Sequence, residues 1–312
     1  MNTAYITHAD CLRHDMGGGH PESPERLVAI TRHMLRSGMI ERVRSLEAPL
    51  AAPDDLKRVH HPDYVDLIFE HAPQNGLVQL DPDTAMNPYS MNAALRAAGA
   101  GLQAVDEVLA GRAGNAFCAV RPCGHHATRA RSMGFCIFNN IAVAAAYALE
   151  QPGIERVAVI DFDVHHGNGT EDMFGRSQWQ DRVLMASIFQ HPFYPYSGTD
   201  APAPNMVNVP LCQGSDGRAA RRAIEASWLP ALEAFAPQMI LISAGFDAHR
   251  DDTLGGLALE EADYAWMTHR LMEVADRHGD GRVVSMLEGG YNLEALGRSV
   301  VAHVGALARV EA

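Results

Sequence analysis

The sequence predicts a single α/β domain in which a parallel β-sheet is flanked by helices. Short apolar runs alternate along the chain with longer segments of helical character, which is typical of strands connected through helices. Several runs are continuous Val, Ile, Leu, Met and Ala without polar alternation, as expected for strands that are buried on both faces. The sequence contains no repeat, low-complexity segment or linker, so residues 1–312 are interpreted as one domain.

Run length separates the predicted strands from the predicted helices, because strands are shorter than helices. In chain order, the predicted strands are residues 4–7, 117–120, 157–160, 183–187, 240–243 and 283–287. The predicted helices are residues 91–110, 140–150, 216–235, 259–278 and 293–309. Turn-rich residues 17–24, 81–90 and 191–205 are predicted to form loops over one edge of the sheet.

Composition limits the functional classes that the chain can belong to. The longest apolar stretch, residues 141–149, is too short to span a bilayer, and no export signal opens the chain, so we expect a soluble, cytoplasmic protein. A net charge of −13 argues against nucleic-acid or membrane partners and suits a basic substrate. The five cysteines form no C-x-x-C pair, which disfavours both disulfides and a thiolate zinc site.

Polar motifs follow four of the predicted strands directly. In open parallel sheets, ligands bind at the carboxyl ends of the strands, so four such motifs predict one functional site at that edge. The motifs are residues 121–126, 161–167, 244–247 and 288–291.

The motif at residues 161–167 indicates a metal. In an extended segment Asp161, Asp163 and His165 point to the same side, and three such acceptors are costly to bury without a cation. Asp247 is the best-placed further ligand, although the same position also suits the N-cap of a helix. The ligand set Asp163, His165 and Asp247 leaves a coordination position open and is compatible with Zn²⁺, Fe²⁺ or Co²⁺.

Three pairs of adjacent histidines occur in the sequence, at residues 60–61, 125–126 and 165–166. His125 and His126 follow a buried strand and are interpreted as proton-transfer groups, with Asp161 and Asn168 as partners that orient the rings. The pair at residues 60–61 is interpreted as a surface feature.

Tyr291 follows two glycines at a strand end. Gly-Gly permits a tight turn that carries the phenol back over the sheet edge. In isolation such a tyrosine is expected to pack locally. Beside a metal and a histidine pair, it becomes a candidate donor to a developing oxyanion.

Several longer motifs occur in a fixed order over most of the chain. They are Arg121-Pro-Cys-Gly-His-His-Ala, Gly134-Phe-Cys-Ile-Phe-Asn-Asn, Asp161-Phe-Asp-Val-His-His-Gly-Asn-Gly-Thr, Ser243-Ala-Gly-Phe-Asp-Ala-His and Glu288-Gly-Gly-Tyr-Asn. Together they resemble the zinc-dependent histone deacetylase family in its class II and bacterial branch. The resemblance implies the arginase–deacetylase fold, with one parallel sheet and the active site at the carboxyl ends of its strands.

The resemblance also implies a role for each matching residue. His126 corresponds to the residue that acts as general base and then as general acid. His125, paired with Asp161, corresponds to the electrostatic partner of that residue. Tyr291 corresponds to the hydrogen-bond donor that polarises the acyl oxygen. The matching zinc ligands are Asp163, His165 and Asp247. A structural K⁺ is implied at Asp161, Asp163, His165, Ser187 and Ile188. Gly134, Phe135 and Tyr194 match the walls of the acyl-lysine tunnel.

Three positions depart from patterns within the family. Asn168 stands where class I enzymes have an aspartate, which the resemblance associates with a less basic His126. Cys123 replaces a common proline and places a thiol beside the histidine pair, with expected sensitivity to oxidants. Leu254 stands where polyamine-selective relatives have a glutamate.

The sequence therefore predicts a deacetylase that acts on N-acetyl-lysine or N-acyl-lysine in proteins or peptides. Two alternatives remain open, an acetylpolyamine amidohydrolase that takes small acetylated amines and a non-catalytic protein that binds acyl-lysine. Whether the chain forms a homo-oligomer is also left open.

Overall fold

The computed structural model describes residues 2–310. The strands are β1 Thr3–Thr7, β2 Val43–Glu47, β3 Val78–Asp81, β4 Thr84–Met86, β5 Asn115–Cys118, β6 Val157–Asp161, β7 Val183–Gln190, β8 Met206–Leu211, β9 Met239–Ala244 and β10 Val283–Leu287. The helices are α1 Glu25–Arg36, α2 Pro53–Leu56, α3 Pro62–Glu70, α4 Ser90–Leu109, α5 Asn140–Ala148, α6 Asn168–Phe174, α7 Gly217–Ala226, α8 Trp228–Phe235, α9 Glu261–His278 and α10 Leu293–Ala308. Within residues 2–310, none of these helices has the length and apolar character that crossing a membrane requires.

Eight of the strands form one sheet in the order β2-β1-β5-β10-β9-β6-β7-β8, and every neighbouring pair is parallel. All residues of β5, β6, β7, β9 and β10 are buried, as expected when helices cover both faces of a parallel sheet. β3 and β4 form a separate antiparallel hairpin. The predicted parallel α/β architecture is confirmed.

The strands that carry the four polar motifs are neighbours in the middle of this sheet, in the order β5-β10-β9-β6. Their carboxyl ends are also aligned, since Asp161 pairs with Ser243 and Leu287 pairs with Ala244. Motifs that lie more than a hundred residues apart in the sequence therefore meet at one edge of the sheet.

The two strands of the main sheet that the sequence did not predict, β2 and β8, are its edge strands. Most of their residues are only half-buried or exposed, so neither forms a continuous apolar run. β8 also contains Pro210, which is tolerated at an edge because that position lacks a second strand partner.

The predicted helix at residues 216–235 is instead two helices, α7 and α8, which are divided at Ser227. Pro230 explains the break, because its ring has no N–H to donate to the carbonyl of Ala226 and would clash with it. Pro230 is tolerated in α8 because it lies in the first turn of that helix.

His303 of α10 is a fully buried histidine that predicts how stability depends on pH. It lies among aromatic rings, and its two ring nitrogens bond to the hydroxyls of Thr268 and Ser285 at 2.6 and 2.8 Å. Burial lowers the pKa of His303 from 6.5 to about 3. The folded state therefore binds this proton less readily than the unfolded state, and stability is lost as the pH falls below about 6.5.

Between pH 7 and pH 5, we expect this group to cost about 2 kcal/mol of unfolding free energy. The measurement is urea-induced unfolding of the wild type and His303→Gln at both pH values. The wild type is expected to lose about 2 kcal/mol more than the variant between pH 7 and pH 5. An equal loss in both proteins would show that His303 is not the titrating group.

Candidate active site at the carboxyl edge of the sheet

A cavity of about 300 Å³ opens above the aligned strand ends. The four residues that were predicted to contact substrate, Gly134, Phe135, Tyr194 and Leu254, all line it. Its other lining residues are Asp83, His126, His165, Phe193, Thr253 and Tyr291. A larger cavity of about 660 Å³ lies beside α1, but it is mainly apolar and none of the four motifs lines it.

Asp163, His165 and Asp247 converge beside this cavity, and His165 lines it. Their potential ligand atoms all lie within 4.8 Å of one another. The Nδ1 atom of His165 is 3.0 Å from Oδ1 of Asp163 and 3.2 Å from Oδ2 of Asp247. The alternative interpretation of Asp247 as a helix N-cap is not supported, because no helix begins after it until α9.

Backbone groups fix both carboxylates. Oδ1 of Asp247 accepts a hydrogen bond from the backbone N–H of Val164 at 2.9 Å, and Oδ2 of Asp163 accepts one from Gly289 at 2.9 Å. Two glycines leave room for the carboxylates. A Cβ atom at Gly289 would lie 2.0 Å from Oδ2 of Asp247, and one at Gly245 would lie 2.1 Å from Oδ2 of Asp163.

The electrostatics of these three residues fit a bound divalent cation. Burial and the charge of Asp163 raise the pKa of Asp247 to about 7. Burial opposes protonation of His165, but its hydrogen bonds to the two aspartates raise its pKa to about 10. Oδ2 of Asp247 is buried, and its close polar neighbour is Nδ1 of His165 at 3.2 Å. Two buried carboxylates that hold a proton on the imidazole between them can hold a dication in its place, so the three side chains form a suitable ligand set.

His125 and His126 lie beside this ligand set with their ring centroids 4.0 Å apart. Nδ1 of His125 is 2.9 Å from Oδ2 of Asp161, and Nδ1 of His126 is 2.7 Å from Oδ1 of Asn168. The predicted pairing of each histidine with its partner is therefore present. Because the amide oxygen of Asn168 only accepts, the proton of a neutral His126 is on Nδ1 and its Nε2 is free to accept.

The two imidazoles have pKa values that are shifted in opposite directions. Burial opposes the charge of His125, but the carboxylates of Asp161 and Asp163 raise its pKa well above 6.5. Burial and the positive charges of His125 and His165 lower the pKa of His126 well below 6.5. One ring is therefore set up to remain protonated and the other to remain neutral.

Glu288 holds the loop that carries the histidine pair. Its Oε2 accepts hydrogen bonds from the backbone N–H groups of Gly124 and His125 at 2.6 and 3.1 Å. Its Oε1 accepts one from the hydroxyl of Ser243 at 3.2 Å. Burial raises the pKa of Glu288 to about 7. The sequence placed Glu288 at a strand end but did not predict this role.

His60 also helps to hold the loop that carries the histidine pair, which differs from the prediction made for it from the sequence. His60 was expected at the surface but is only 2% exposed, and its Nε2 accepts a hydrogen bond from the backbone N–H of Asn139 at 2.9 Å. The side-chain amide of Asn139 then donates to the carbonyl of Ala127 at 3.2 Å. His61 does lie at the surface, as the N-cap of α3. The interpretation of residues 60–61 as a surface pair is therefore wrong for His60.

Aromatic side chains form the walls of the cavity. Phe135 is held at a positive φ of 67°, which is uncommon for a residue other than glycine, and its N–H donates to the hydroxyl of Thr84 at 3.0 Å. Its ring contacts that of Tyr291 edge-on, with centroids 5.9 Å apart. Phe193, which the sequence analysis did not single out, stacks on His165 at 5.4 Å. Tyr194 contacts the ring of His126 edge-on at 5.3 Å.

The turn that carries Tyr291 is fixed from both sides. Arg26 is fully buried, donates to the carbonyls of Gly290 and Glu288 at 2.7 and 2.5 Å, and lies 5.0 Å above the Tyr291 ring. Burial raises the pKa of the Tyr291 phenol well above 10, so the hydroxyl keeps its proton. The phenol can therefore act as a hydrogen-bond donor.

Asp252 connects this turn to the loop that carries Leu254. Its Oδ2 accepts from the backbone N–H groups of Tyr291 and Asn292 at 2.6 and 2.9 Å, and its Oδ1 accepts from that of Leu254 at 2.9 Å. Asp252 could not be predicted from the sequence, because a carboxylate that binds distant backbone amides leaves no spacing pattern.

We expect Asp252→Asn to lower kcat by about 10- to 100-fold with metal content unchanged. Asparagine has one acceptor oxygen, so its NH₂ group would face one of these backbone N–H groups, and each lost charge-assisted hydrogen bond is worth about 1.5–3 kcal/mol. The control is Asp251→Asn, whose side chain is 51% exposed. Turnover of Asp252→Asn equal to that of the control would rule out this positioning role.

The residues that were predicted to hold potassium are also grouped together. Asp161 of β6 pairs with Ser187 of β7, and Ile188 is the next residue of the same strand. The hydroxyl of Ser187 is fully buried and has no hydrogen-bond partner. An unpaired buried hydroxyl beside a buried carboxylate is compatible with an oxygen-ligated cation.

Comparison with known proteins agrees with this fold. The family model for the histone deacetylase domain matches residues 20–307. A histone deacetylase-like amidohydrolase of Pseudomonas aeruginosa is 40% identical over 88% of this chain and 73% of its own length. A probable deacetylase of Archaeoglobus fulgidus is 36% identical over 94% of this chain and 82% of its own.

A crystal structure of the HDA15 HD domain superimposes with a TM-score of 0.91 and 34% identity, over 99% of this chain and 89% of that one. Both the sequence match and the structural match therefore extend over nearly the whole chain. The chain belongs to the histone deacetylase family and has the single-domain arginase–deacetylase fold.

Proposed function

We propose that this protein is a zinc-dependent hydrolase that removes the acetyl group from N-acetyl-lysine in proteins or peptides. The observation that carries the proposal is the convergence of Asp163, His165 and Asp247 beside an adjacent pair of histidines at an aromatic cavity. Family membership supports deacetylation as the class of reaction.

The three metal-binding side chains would hold one Zn²⁺, with Fe²⁺ or Co²⁺ as alternatives. When bound, such a dication supplies a Lewis acid that activates water and polarises the acetyl carbonyl. His126 accepts the proton of the attacking water at Nε2, because its Nδ1 bonds to Asn168. His125 stays protonated beside Asp161 and contributes positive charge. Tyr291 donates a hydrogen bond to the developing oxyanion, and His126 then protonates the departing amine.

A structural K⁺ is also proposed, at the positions named for it above. Backbone carbonyls would supply part of its coordination, and the carboxylate of Asp161 and the unpaired hydroxyl of Ser187 would supply the rest. Its function would be to hold the end of β6, which leads into Asp163 and His165, against the neighbouring strand β7.

The cavity walls favour the aliphatic stem of a lysine side chain. Phe135 and Tyr194 present ring surfaces, and Leu254 offers no charge to a second ammonium group. The alternative substrate, an acetylated polyamine, is favoured by one observation: the carboxylate of Asp83 lines the same cavity and could attract a distal cation.

A substrate panel tests the proposal. The purified protein is assayed for release of acetate from an acetyl-lysine peptide, longer acyl-lysine peptides, acetylputrescine and acetylspermidine. The expected result is the highest kcat/KM for the acetyl-lysine peptide. A higher value for either polyamine would establish the polyamine alternative. Binding of the peptide without turnover of any compound would establish the non-catalytic alternative.

Leu254→Glu is expected to shift this preference toward the polyamines. A carboxylate in the cavity wall gains about 1 kcal/mol or more from a distal ammonium group, so the polyamine-to-peptide ratio of kcat/KM should rise by about tenfold. Leu67→Glu adds the same charge at an exposed leucine of α3 that does not line the cavity, and is expected to leave the ratio unchanged. An unchanged ratio in Leu254→Glu would mean that residue 254 does not select the substrate.

A further inference from the structure

Two buried thiols lie directly behind the candidate active site, and no step of the proposed reaction uses them. The Sγ atoms of Cys123 and Cys136 are 3.4 Å apart, and the two residues are 3% and 0% exposed. With Ala127 they form a small apolar cluster that is separate from the main core and is covered by Phe135.

This thiol pair joins the two loops whose positions the proposed reaction depends on. Cys123 lies two residues before His125, in the loop held by Glu288. Cys136 follows Gly134 and Phe135, which form the cavity wall. Sγ of Cys136 and Sγ of Cys123 lie 3.3 and 3.9 Å from the carbonyl oxygen of Gly134.

Gly134 in turn lies against the ring of His126, where an added Cβ atom would be only 2.3 Å from the ring. A displacement of either sulfur is therefore transmitted to the imidazole that is proposed to carry the proton.

We propose that Cys123 and Cys136 are a modification site, at which a peroxide forms a reversible intramolecular disulfide that lowers deacetylase activity. The effect on activity rests on the proposed function, whereas formation of the bond does not. The sulfurs must approach from 3.4 Å to about 2.05 Å, so their contacts with the Gly134 carbonyl are lost and both loops move. Displacements of about 1 Å at reacting groups can cost about 100-fold in rate.

The oxidation proceeds in two balanced steps. The Cys123 sulfur, which is the more exposed of the two, attacks hydrogen peroxide, breaks the O–O bond and becomes a sulfenic acid with release of one water. The Cys136 sulfur then attacks the sulfenic sulfur, so that an S–S bond forms, the S–O bond breaks and a second water leaves. Two thiols are oxidised and one peroxide is reduced to two waters. Burial raises the pKa of the Cys136 thiol well above 9, so the closing step is expected to be slow.

The test treats the metal-loaded protein with hydrogen peroxide in a Cys212→Ser background, which removes the exposed cysteine. Intact mass, peptide mapping after alkylation and acetyl-lysine hydrolysis are followed over time, before and after dithiothreitol. We expect a loss of about 2 Da, a linked peptide pair that contains Cys123 and Cys136, and at least a tenfold fall in activity that dithiothreitol reverses. Cys123→Ala and Cys136→Ala, each compared with its own untreated sample, should form no such bond and keep their activity in peroxide.

Two results would overturn the proposal. One is that both thiols remain free when peroxide has inactivated the protein, and the other is that the mapped disulfide leaves turnover unchanged. If the untreated protein hydrolyses none of the tested substrates, the proposed function fails separately. Peptide mapping then still tests whether the bond forms. Amide hydrogen exchange of residues 124–135 tests whether the loops move, and equal exchange before and after oxidation would count against the proposal.

Discussion

Asp247→Ala is expected to abolish both metal binding and deacetylase activity. Asp247 is one of only three side chains that converge on the proposed metal position among the described residues. Loss of a side chain that only orients a metal ligand typically costs about 10- to 100-fold in metal affinity, so loss of a ligand should exceed about 100-fold. Elemental analysis of the purified variant and its rate of acetate release are the two measurements.

The fold is expected to survive this change, because removal of Asp247 also removes one of two buried, mutually repelling carboxylates. Asp251→Ala is the matched control, since it removes an exposed carboxylate from the same loop and should retain both metal and turnover. A full complement of metal in Asp247→Ala would exclude Asp247 from direct coordination.

Tyr291→Phe should keep the metal and the fold but lower kcat by about 10²–10³, the usual cost of removing one donor to an oxyanion. The substitution deletes only the hydroxyl, so the edge contact with Phe135 and the contact with Arg26 remain. Because the lost hydrogen bond forms in the transition state, kcat and kcat/KM should fall together while KM changes little.

Tyr194→Phe is the control for this prediction. Tyr194 also lines the cavity, but its contacts with His126 and His165 are made by the ring, so loss of its hydroxyl should change kcat only slightly. Near-normal turnover of Tyr291→Phe would contradict the proposed role of the phenol.

The sequence predicted the central strands of the sheet better than its edge strands, for a physical reason. A strand that is buried on both faces is apolar at most positions, so β6, β7, β9 and β10 stand out as nearly continuous apolar runs. β2 and β8 each have one strand neighbour and partly exposed residues, so the same signal is absent. The break between α7 and α8 could have been predicted from Pro230.

In the candidate site too, the residues that could be predicted are those that leave a pattern in the sequence. The proposed metal ligands and the histidine pair lie close together in sequence or directly after strands, so spacing and position identified them. Glu288 and Asp252 act on backbone amides, and His60 acts on Asn139, which is 79 residues away. Such contacts depend on tertiary structure and on no residue pattern, so only the structure could assign them.

Hydrolysis is proposed to depend on one metal ion held at Asp163, His165 and Asp247. The most direct test removes the metal with a chelator and titrates Zn²⁺ into the stripped protein while acetate release from an acetyl-lysine peptide is measured. We predict negligible activity in the stripped protein and a linear rise that ends near one equivalent of metal per chain. Unchanged hydrolysis by the stripped protein, with its metal content verified by elemental analysis, would show that the reaction does not need a metal at these residues.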